Sequence, residues 1–178
     1  MNKKILVTGG CRSGKSRYAL TLARNIPGEK LYVATAEALD SEMKERIAKH
    51  QQERGEEWET HEEPMALSQV FKQLENRSGV LVLDCLTLWI SNLLIKDHTQ
   101  ESILQAVASL MDQSKGMQCQ LVFVTNEVGA GIVPENKLAR DFRDIVGAAN
   151  QIVAQQCDDV IHMVSGIPVT IKTSNKNL

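Results

Sequence analysis

The chain has 178 residues, of which 43% are hydrophobic and 24% are charged. This length and composition fit one folded domain spanning residues 1–178 and exclude an intrinsically disordered chain. Twenty Lys plus Arg against 22 Asp plus Glu give a formal charge of −2, so nothing in the charge points to a nucleic acid or an acidic membrane surface as a partner.

Short apolar runs alternate with helical patterns along the chain. Strands are predicted at residues 4–8, 31–34, 80–84, 120–125 and 160–164, with a last strand at 169–172 closing a hairpin. Helices are predicted at residues 14–24, 40–53, 65–75, 86–95, 100–113 and 136–156. The strands are continuous Val, Ile and Leu runs, as in strands covered on both faces. We therefore predict an open, mostly parallel α/β sheet that binds ligands beyond the carboxyl ends of its strands.

The apolar runs and the cysteines indicate whether the protein inserts into a membrane and which compartment it occupies. The longest apolar stretch, residues 85–95, contains polar side chains and falls short of the ~20 residues of a membrane span. We expect no membrane insertion. The four cysteines form neither a CxxC motif nor a zinc pattern, which favours reduced thiols and a cytoplasmic protein.

The first predicted strand runs into GGCRSGKS at residues 9–16. This segment matches GxxxxGK[ST] in full, between a strand and a helix, which disfavours a chance match in a glycine-rich turn. The loop amides would surround phosphate oxygens, Lys15 would reach the β- and γ-phosphates, and Ser16 would ligate Mg²⁺. The predicted phosphate-binding residues are Gly9, Gly10, Cys11, Arg12, Ser13, Gly14, Lys15 and Ser16.

The apolar strand at residues 80–84 ends in Asp84, which is the Walker B pattern. A solvated acid at a strand end is the simpler interpretation of such a residue by itself. Beside a phosphate loop, Asp84 is predicted to hold Mg²⁺ directly or through water. The two motifs together predict nucleotide binding but specify no reaction.

His50 shares one helix face with Met43 and Ile47, because these residues are spaced i, i+4, i+7. Spacing alone favours a hydrogen-bonded histidine at the edge of the core. The alternative is an imidazole that faces the bound triphosphate and acts as a base or nucleophile.

A polar, glycine-containing segment at residues 126–134 directly follows the strand predicted at 120–125, so a site is expected there. The next helix is predicted to bury a stripe that begins at Leu138. Another face of that helix aligns Arg140 and Arg143, which could meet a phosphate, another subunit or solvent.

These segments together resemble the family of bifunctional adenosylcobinamide kinases / adenosylcobinamide-phosphate guanylyltransferases of cobalamin biosynthesis. The match runs nearly end to end and is most specific in VTNEVGAGIVP at 124–134 and LARDFRD at 138–144. It implies a three-layer α/β P-loop NTPase (RecA-like) fold with a C-terminal hairpin. It also implies a transferase that phosphorylates adenosylcobinamide with ATP or GTP. The same enzyme then moves GMP from GTP to that phosphate through a guanylyl-histidine, giving adenosylcobinamide-GDP and pyrophosphate.

The resemblance carries specific residues over to this chain. The guanylylated histidine of the family falls on His50, with Mg²⁺ as cofactor and Lys15 as a second catalytic residue. Beyond the phosphate loop, the implied nucleotide contacts are Ala34, Thr35, Ala36, Gln51, Gln52, Glu53, Arg54, Glu62 and Asp84. The match is firm for Glu62 and Asp84 and loose for residues 51–54. Members of the family assemble as homo-oligomers, with a trimer as one plausible size, and their partner is the small-molecule corrinoid.

Two other functions are compatible with the motifs. A simple small-molecule P-loop kinase would need Lys15, Ser16 and Asp84 but would leave His50 dispensable. A nucleotide-binding regulator without chemistry is disfavoured, because NKLA at residues 136–139 lacks the aspartate of the guanine signature NKxD.

Overall fold

The computed structural model describes residues 2–38 and 40–174, without the side chains of Arg46 and Glu53. Strands and helices alternate along this part of the chain. They are β1 (Lys4–Gly9), α1 (Lys15–Arg24), β2 (Lys30–Ala34), α2 (Ser41–Arg54), β3 (Glu59–Glu62), α3 (Leu67–Leu74), β4 (Val80–Asp84), α4 (Leu86–Ile95), α5 (Gln100–Gln113), β5 (Gln120–Val124), α6 (Lys137–Gln156), β6 (Asp159–Val164) and β7 (Ile167–Lys172).

The seven strands form one sheet in the order β3-β2-β4-β5-β1-β6-β7. Strands β1 to β6 run parallel, and β7 pairs antiparallel with β6. This confirms the predicted mostly parallel sheet with a C-terminal hairpin. Because β5 lies between β1 and β4, the segments after β1 and β4 open on the same sheet edge, about 10 Å apart at two strand spacings.

Helices cover both faces of the sheet, because successive side chains of a strand point to opposite sides. In β1, Ile5 and Val7 belong to the buried cluster that includes α1, whereas Leu6 belongs to the cluster that includes α3, α4, α5 and α6. The resulting three layers leave the carboxyl edge of the sheet for the loops. No helix in the described part of the chain has both the length and the apolarity that a membrane span requires.

Strand β3 was not among the predicted strands. Its sequence, ETHE, is polar throughout, and most of its side chains are exposed. It is a strand because its backbone pairs in parallel with β2, from Leu31 beside Glu59 to Ala34 beside Glu62. Pairing with a neighbouring strand therefore determines its conformation, and no apolar pattern in the sequence predicts this strand.

The first residues of α3 and β7 and the exposure of Leu138 also differ from the predictions. Helix α3 begins at Leu67 rather than residue 65, because the Glu63 carboxylate accepts both preceding amides, at 2.8 Å each, and holds them in a turn. Strand β7 begins at Ile167, directly after a two-residue turn. The expected burial of Leu138 is wrong, since its side chain is 58% exposed in the first turn of α6.

Candidate functional site

The phosphate loop connects the end of β1 to the start of α1. Gly9 is extended with φ 146°, and a Cβ there would lie 2.5 Å from the Met163 carbonyl oxygen, so only glycine fits. Gly14 caps α1 in the left-handed region with φ 92°. These two glycines turn the backbone toward the N-terminus of α1, where amides and the helix dipole favour an anion.

Lys15 begins α1 and is only 8% exposed. Its Nζ donates to the Gly10 carbonyl at 2.7 Å, so the ammonium lies over the loop that would hold phosphates. Burial and the Asp84 charge raise the pKa of the Cys85 thiol to about 12, and the Lys15 charge opposes that rise.

Asp84 ends β4 and is partly buried. One of its carboxylate oxygens, Oδ2, accepts a hydrogen bond from the Tyr32 hydroxyl at 2.9 Å. Mg²⁺ prefers oxygen ligands and in nucleotide sites takes one or two carboxylates together with phosphate oxygens and water. The Asp84 carboxylate and the Ser16 hydroxyl suit that mode. The residues that the structure describes contain no cluster of three or more His, Cys, Asp or Glu for a self-sufficient metal site.

The predicted contacts at residues 34–36 begin with the last residue of β2 and lie beside Asp84. The buried Thr35 hydroxyl donates to the Cys85 carbonyl and accepts from the Cys85 amide, at 2.8 Å each. The Thr35 amide donates to the Asp84 carbonyl at 3.2 Å. On the sheet ladder, Ala34 pairs with Asp84 on one side and with Glu62 on the other. Three of the predicted contacts thus lie on adjacent strand ends.

Helix α2 carries His50. Asp40 caps the helix as predicted, its carboxylate accepting the Met43 amide at 2.7 Å. His50 is partly buried, like Met43 and Ile47 on the same face. The neighbouring Gln51 donates from Nε2 to Glu62 Oε1 at 2.9 Å, which joins α2 to the end of β3. Gln52 is exposed, and the Glu53 side chain lies outside the described residues.

Tyr32 is a site residue that sequence reasoning missed. It lies in the middle of β2, and its ring lies beneath the Arg54 guanidinium, whose carbon is 4.1 Å from the ring centroid. Burial, reinforced by the negative Asp84, raises the pKa of Tyr32 well above its ordinary value, so the hydroxyl remains a donor. A hydroxyl in the middle of a buried apolar strand was the available signal, because such a group needs a hydrogen-bond partner.

The segment that follows β5 lies next to the phosphate loop. The Glu127 amide donates to the Gly9 carbonyl at 2.9 Å. The buried Thr125 hydroxyl donates to Asn150 Oδ1 at 2.7 Å, and Asn150 Nδ2 donates to the Asn126 carbonyl at 3.0 Å. The side chains of Thr125, directly after β5, and of Asn150 in α6 therefore hold this segment in place beside the nucleotide site.

The two arginines of α6 have partners within their own region. Arg140 Nη1 donates to the Pro134 and Glu135 carbonyls, at 3.0 and 2.6 Å. Arg143 pairs with Asp144 at 3.0 Å. The sequence predicted that these arginines meet a phosphate, another subunit or solvent. Arg140 has a further role in the structure, because its hydrogen bonds stabilise the loop before α6.

Thiol chemistry singles out Cys11 in the phosphate loop. Cys11 is exposed, whereas Cys85, Cys119 and Cys157 are buried. Burial raises the pKa of these three thiols to about 12, 11 and 12. Because the thiolate is the reactive form, they stay protonated and unreactive at about pH 8.

We therefore expect iodoacetamide to modify Cys11 first in the folded protein and to weaken nucleotide binding, because the adduct occupies the phosphate loop. Mass spectrometry of peptides identifies the alkylated residue, and prior addition of MgGTP should protect it. A Cys11→Ala variant should take up no adduct under the same conditions. Full activity after complete alkylation of Cys11 would contradict this expectation.

Comparisons with known proteins match nearly the whole chain to one family. A family model described as cobinamide kinase / cobinamide phosphate guanyltransferase matches residues 5–171. The chain is 42% identical over 180 residues to the bifunctional adenosylcobalamin biosynthesis protein CobU of Escherichia coli (strain K12), covering 94% of this chain and 99% of that protein. It is 38% identical over 173 residues to the bifunctional adenosylcobalamin biosynthesis protein CobP of Pseudomonas aeruginosa, covering 94% and 96%.

Solved structures of distant sequence share the fold. A prototypical ATPase of the type III secretion system of pathogenic bacteria superposes with a TM-score of 0.58 at 11% identity, covering 94% of this chain and 56% of that chain. The assembled ATPase EscN of enteropathogenic E. coli gives 0.59 at 10% identity, covering 92% and 43%. At such identities the similarity concerns the fold alone, and it confirms the predicted three-layer α/β P-loop fold.

Proposed function

The chain belongs to the cobinamide kinase / cobinamide phosphate guanyltransferase family, and from that membership we propose two reactions on one nucleotide-binding domain. The first phosphorylates adenosylcobinamide with ATP or GTP. The second transfers GMP from GTP to adenosylcobinamide phosphate through a guanylyl group on His50. The observation that supports the proposal is the chain of contacts from Arg54 of α2 through Tyr32 to Asp84, because it links the helix that carries His50 to the strand end beside the phosphate loop.

In the kinase step, the hydroxyl oxygen of the aminopropanol arm attacks the γ-phosphorus. A new oxygen–phosphorus bond forms, the bond to the β-phosphate oxygen breaks, and the hydroxyl proton leaves. Catalysis of this kind rests on positioning and on charge stabilisation. The loop amides and Lys15 would hold the phosphates, while Ser16 and Asp84 would hold Mg²⁺, which offsets the charge on the phosphate oxygens when bound with the nucleotide.

In the guanylyl step, a neutral imidazole nitrogen of His50 attacks the α-phosphorus of GTP. A nitrogen–phosphorus bond forms and pyrophosphate leaves with the bonding electron pair. A phosphate oxygen of adenosylcobinamide phosphate then attacks the same phosphorus and releases His50. Lys15 and the loop amides would stabilise the negative charge that develops on the phosphates.

Guanine preference has a candidate in Glu62, which is exposed at the end of β3 beside α2. The Gln51 amide holds one oxygen of this carboxylate at 2.9 Å, and Gln51 directly follows His50. Guanine presents two N–H donors on its pairing edge, at N1 and N2, where adenine presents one donor and one acceptor. A carboxylate only accepts, and it can accept two such bonds. We therefore assign Glu62 to the base of GTP.

We also propose that the chain forms a homo-oligomer. The β6–β7 hairpin exposes Val164 and Ile167, which pair directly, as well as Val169 and Ile171. Ile167, Val169 and Ile171 alternate along β7 and so share one face of the strand. A contiguous apolar face of this kind marks a contact surface, and a second copy of the chain is its proposed occupant.

Incubation with Mg²⁺ and GTP labelled at the α-phosphate tests the proposal. We expect acid-labile label on the denatured protein, none from γ-labelled GTP, and release of the label when adenosylcobinamide phosphate is added. Turnover of adenosylcobinamide with labelled ATP or GTP tests the kinase step in parallel. A folded, nucleotide-binding protein that turns over adenosylcobinamide without covalent label would make the simple kinase the better assignment.

A further inference from the structure

The last turn of α2 is anchored from two sides. The Arg54 side chain is 4% exposed, and its guanidinium carbon lies 4.1 Å from the centroid of the Tyr32 ring. The Arg54 carbonyl accepts a hydrogen bond from Arg24 Nη2 of α1 at 3.1 Å. A cation on an aromatic face gains most when it is desolvated, as it is here. Arg54 therefore holds the end of α2 in one place.

The partner of Arg54 is itself rigidly held. Tyr32 is 3% exposed in the middle of β2. Its ring packs edge-on against Trp58, with centroids 6.0 Å apart and planes at 86°. Its hydroxyl donates to Asp84 Oδ2 at 2.9 Å. Tyr32 thus contacts Arg54 through its ring face and Asp84 through its hydroxyl.

Helix geometry extends this connection to His50. Residues four apart lie on the same face of a helix, about 6 Å from each other. His50 precedes Arg54 by four residues within α2. Because a helix moves as a stiff unit over one turn, the position of the Arg54 guanidinium constrains the position of the His50 ring.

We propose that Arg54 and Tyr32 are positioning residues that couple the last turn of α2 to the Asp84 carboxylate and so fix where His50 meets the nucleotide. This inference rests on the proposed guanylyl transfer at His50. The same carboxylate that would hold Mg²⁺ with the phosphates then also orients the nucleophile. The Asp84 carboxylate would therefore help to position both His50 and the phosphates.

The positioning role differs from the direct nucleotide contact that the resemblance implies for Arg54. A guanidinium stacked on Tyr32 and 4% exposed offers little surface to a phosphate. If Arg54 bound the nucleotide, its loss would raise the Kd for GTP. If it positions α2, its loss would slow attack by His50 while GTP binds as before.

Two variants separate these roles. Arg54→Met keeps an unbranched side chain and removes the cation, whereas Tyr32→Phe keeps the ring and removes only the hydroxyl. At saturating GTP we expect the labelling rate to fall about 10-fold in Arg54→Met and about 3- to 10-fold in Tyr32→Phe. In both variants the labelling rate should fall by a larger factor than the kinase rate, because only guanylyl transfer needs His50 in place. The Kd for GTP should stay within about 3-fold in Arg54→Met. Since the residues act in one chain of contacts, the double variant should be no slower than the slower single variant.

Matched controls come from elsewhere in the chain. Tyr18→Phe removes the hydroxyl of the other tyrosine, and Arg77→Met removes a guanidinium that pairs with Glu29 and Glu59. Both should label at the wild-type rate. Unfolding by denaturant gives a readout independent of activity, in which the losses from Arg54→Met and Tyr32→Phe should be less than additive. If Arg54→Met fails to fold, Arg54→Gln replaces it, because glutamine also removes the cation.

Several outcomes would overturn the inference. Wild-type labelling rates in both variants would show that the contacts from Arg54 through Tyr32 to Asp84 do not position His50. A higher Kd for GTP together with a wild-type labelling rate at saturating GTP in Arg54→Met would assign Arg54 to nucleotide contact. Multiplicative losses in the double variant would show independent roles. A wild-type protein that takes no label would instead refute the proposed function itself, and with it this inference.

Discussion

Replacing His50 with alanine is expected to abolish covalent labelling by α-labelled GTP and to stop formation of adenosylcobinamide-GDP. Removal of a covalent nucleophile typically costs an enzyme at least about 10⁴-fold in rate. Phosphorylation of adenosylcobinamide should continue, because the phosphate loop and Asp84 are untouched. His50 is partly buried on α2, so we expect only a small change in the melting temperature.

Both reactions are followed with the same protein preparation, by acid-labile label and by product chromatography. His61→Ala is the matched control, since His61 is also partly buried and lies on β3, 3.0 Å from Glu59. A conservative His50→Asn variant repeats the test with a polar side chain of similar size. Label that persists in both His50 variants would assign the nucleophile to another residue.

Replacing Lys15 with methionine is expected to impair both reactions together. The ammonium lies over the phosphate loop, 2.7 Å from the Gly10 carbonyl, and its charge would stabilise the transition state of each transfer. Loss of one such group typically costs about 100- to 1,000-fold in rate. Methionine fills the space of this 8% exposed side chain, so the fold should remain.

Initial rates of both reactions, the Kd for MgGTP and the melting temperature are measured side by side. Lys44→Met serves as the control, because Lys44 is exposed on α2 and its loss leaves the phosphate loop intact. The joint loss in Lys15→Met, set against the selective loss in His50→Ala, would show that two reactions share one nucleotide site. A kinase rate within about 10-fold of the wild-type rate would contradict the role of Lys15.

Motifs of consecutive residues were predicted well from the sequence. The phosphate loop from Gly9 to Ser16, the acid at the end of β4 and the N-cap Asp40 all lie where the pattern placed them. Each depends on backbone conformation within a few residues, which local sequence controls. The roles of these residues in catalysis, the bound Mg²⁺, the cytoplasmic location and the oligomer size remain predictions.

Contacts between distant segments were not predictable in the same way. The sequence ETHE has no apolar pattern that predicts β3. The strand forms because its backbone pairs with β2. Tyr32 was predicted only as part of an apolar strand, and Arg54 only as an implied nucleotide contact beyond the helix predicted at residues 40–53. Their contact depends on how α2 returns over β2, and it leaves Arg54 among the few buried charges.

The sequence by itself determined the fold class and the nucleotide loop, because periodicity and motif spacing are local properties of the chain. The family followed from the resemblance of segments along nearly the whole chain. Only the tertiary structure decided that β5 separates β1 from β4 and that Arg54 reaches Asp84 through Tyr32. Strand order and side-chain partners arise from packing between segments that are distant in sequence, such as β1 beside β5 and Tyr32 beside Asp84, 52 residues further along the chain. Burial and pairing across the sheet outweigh local preference at those positions.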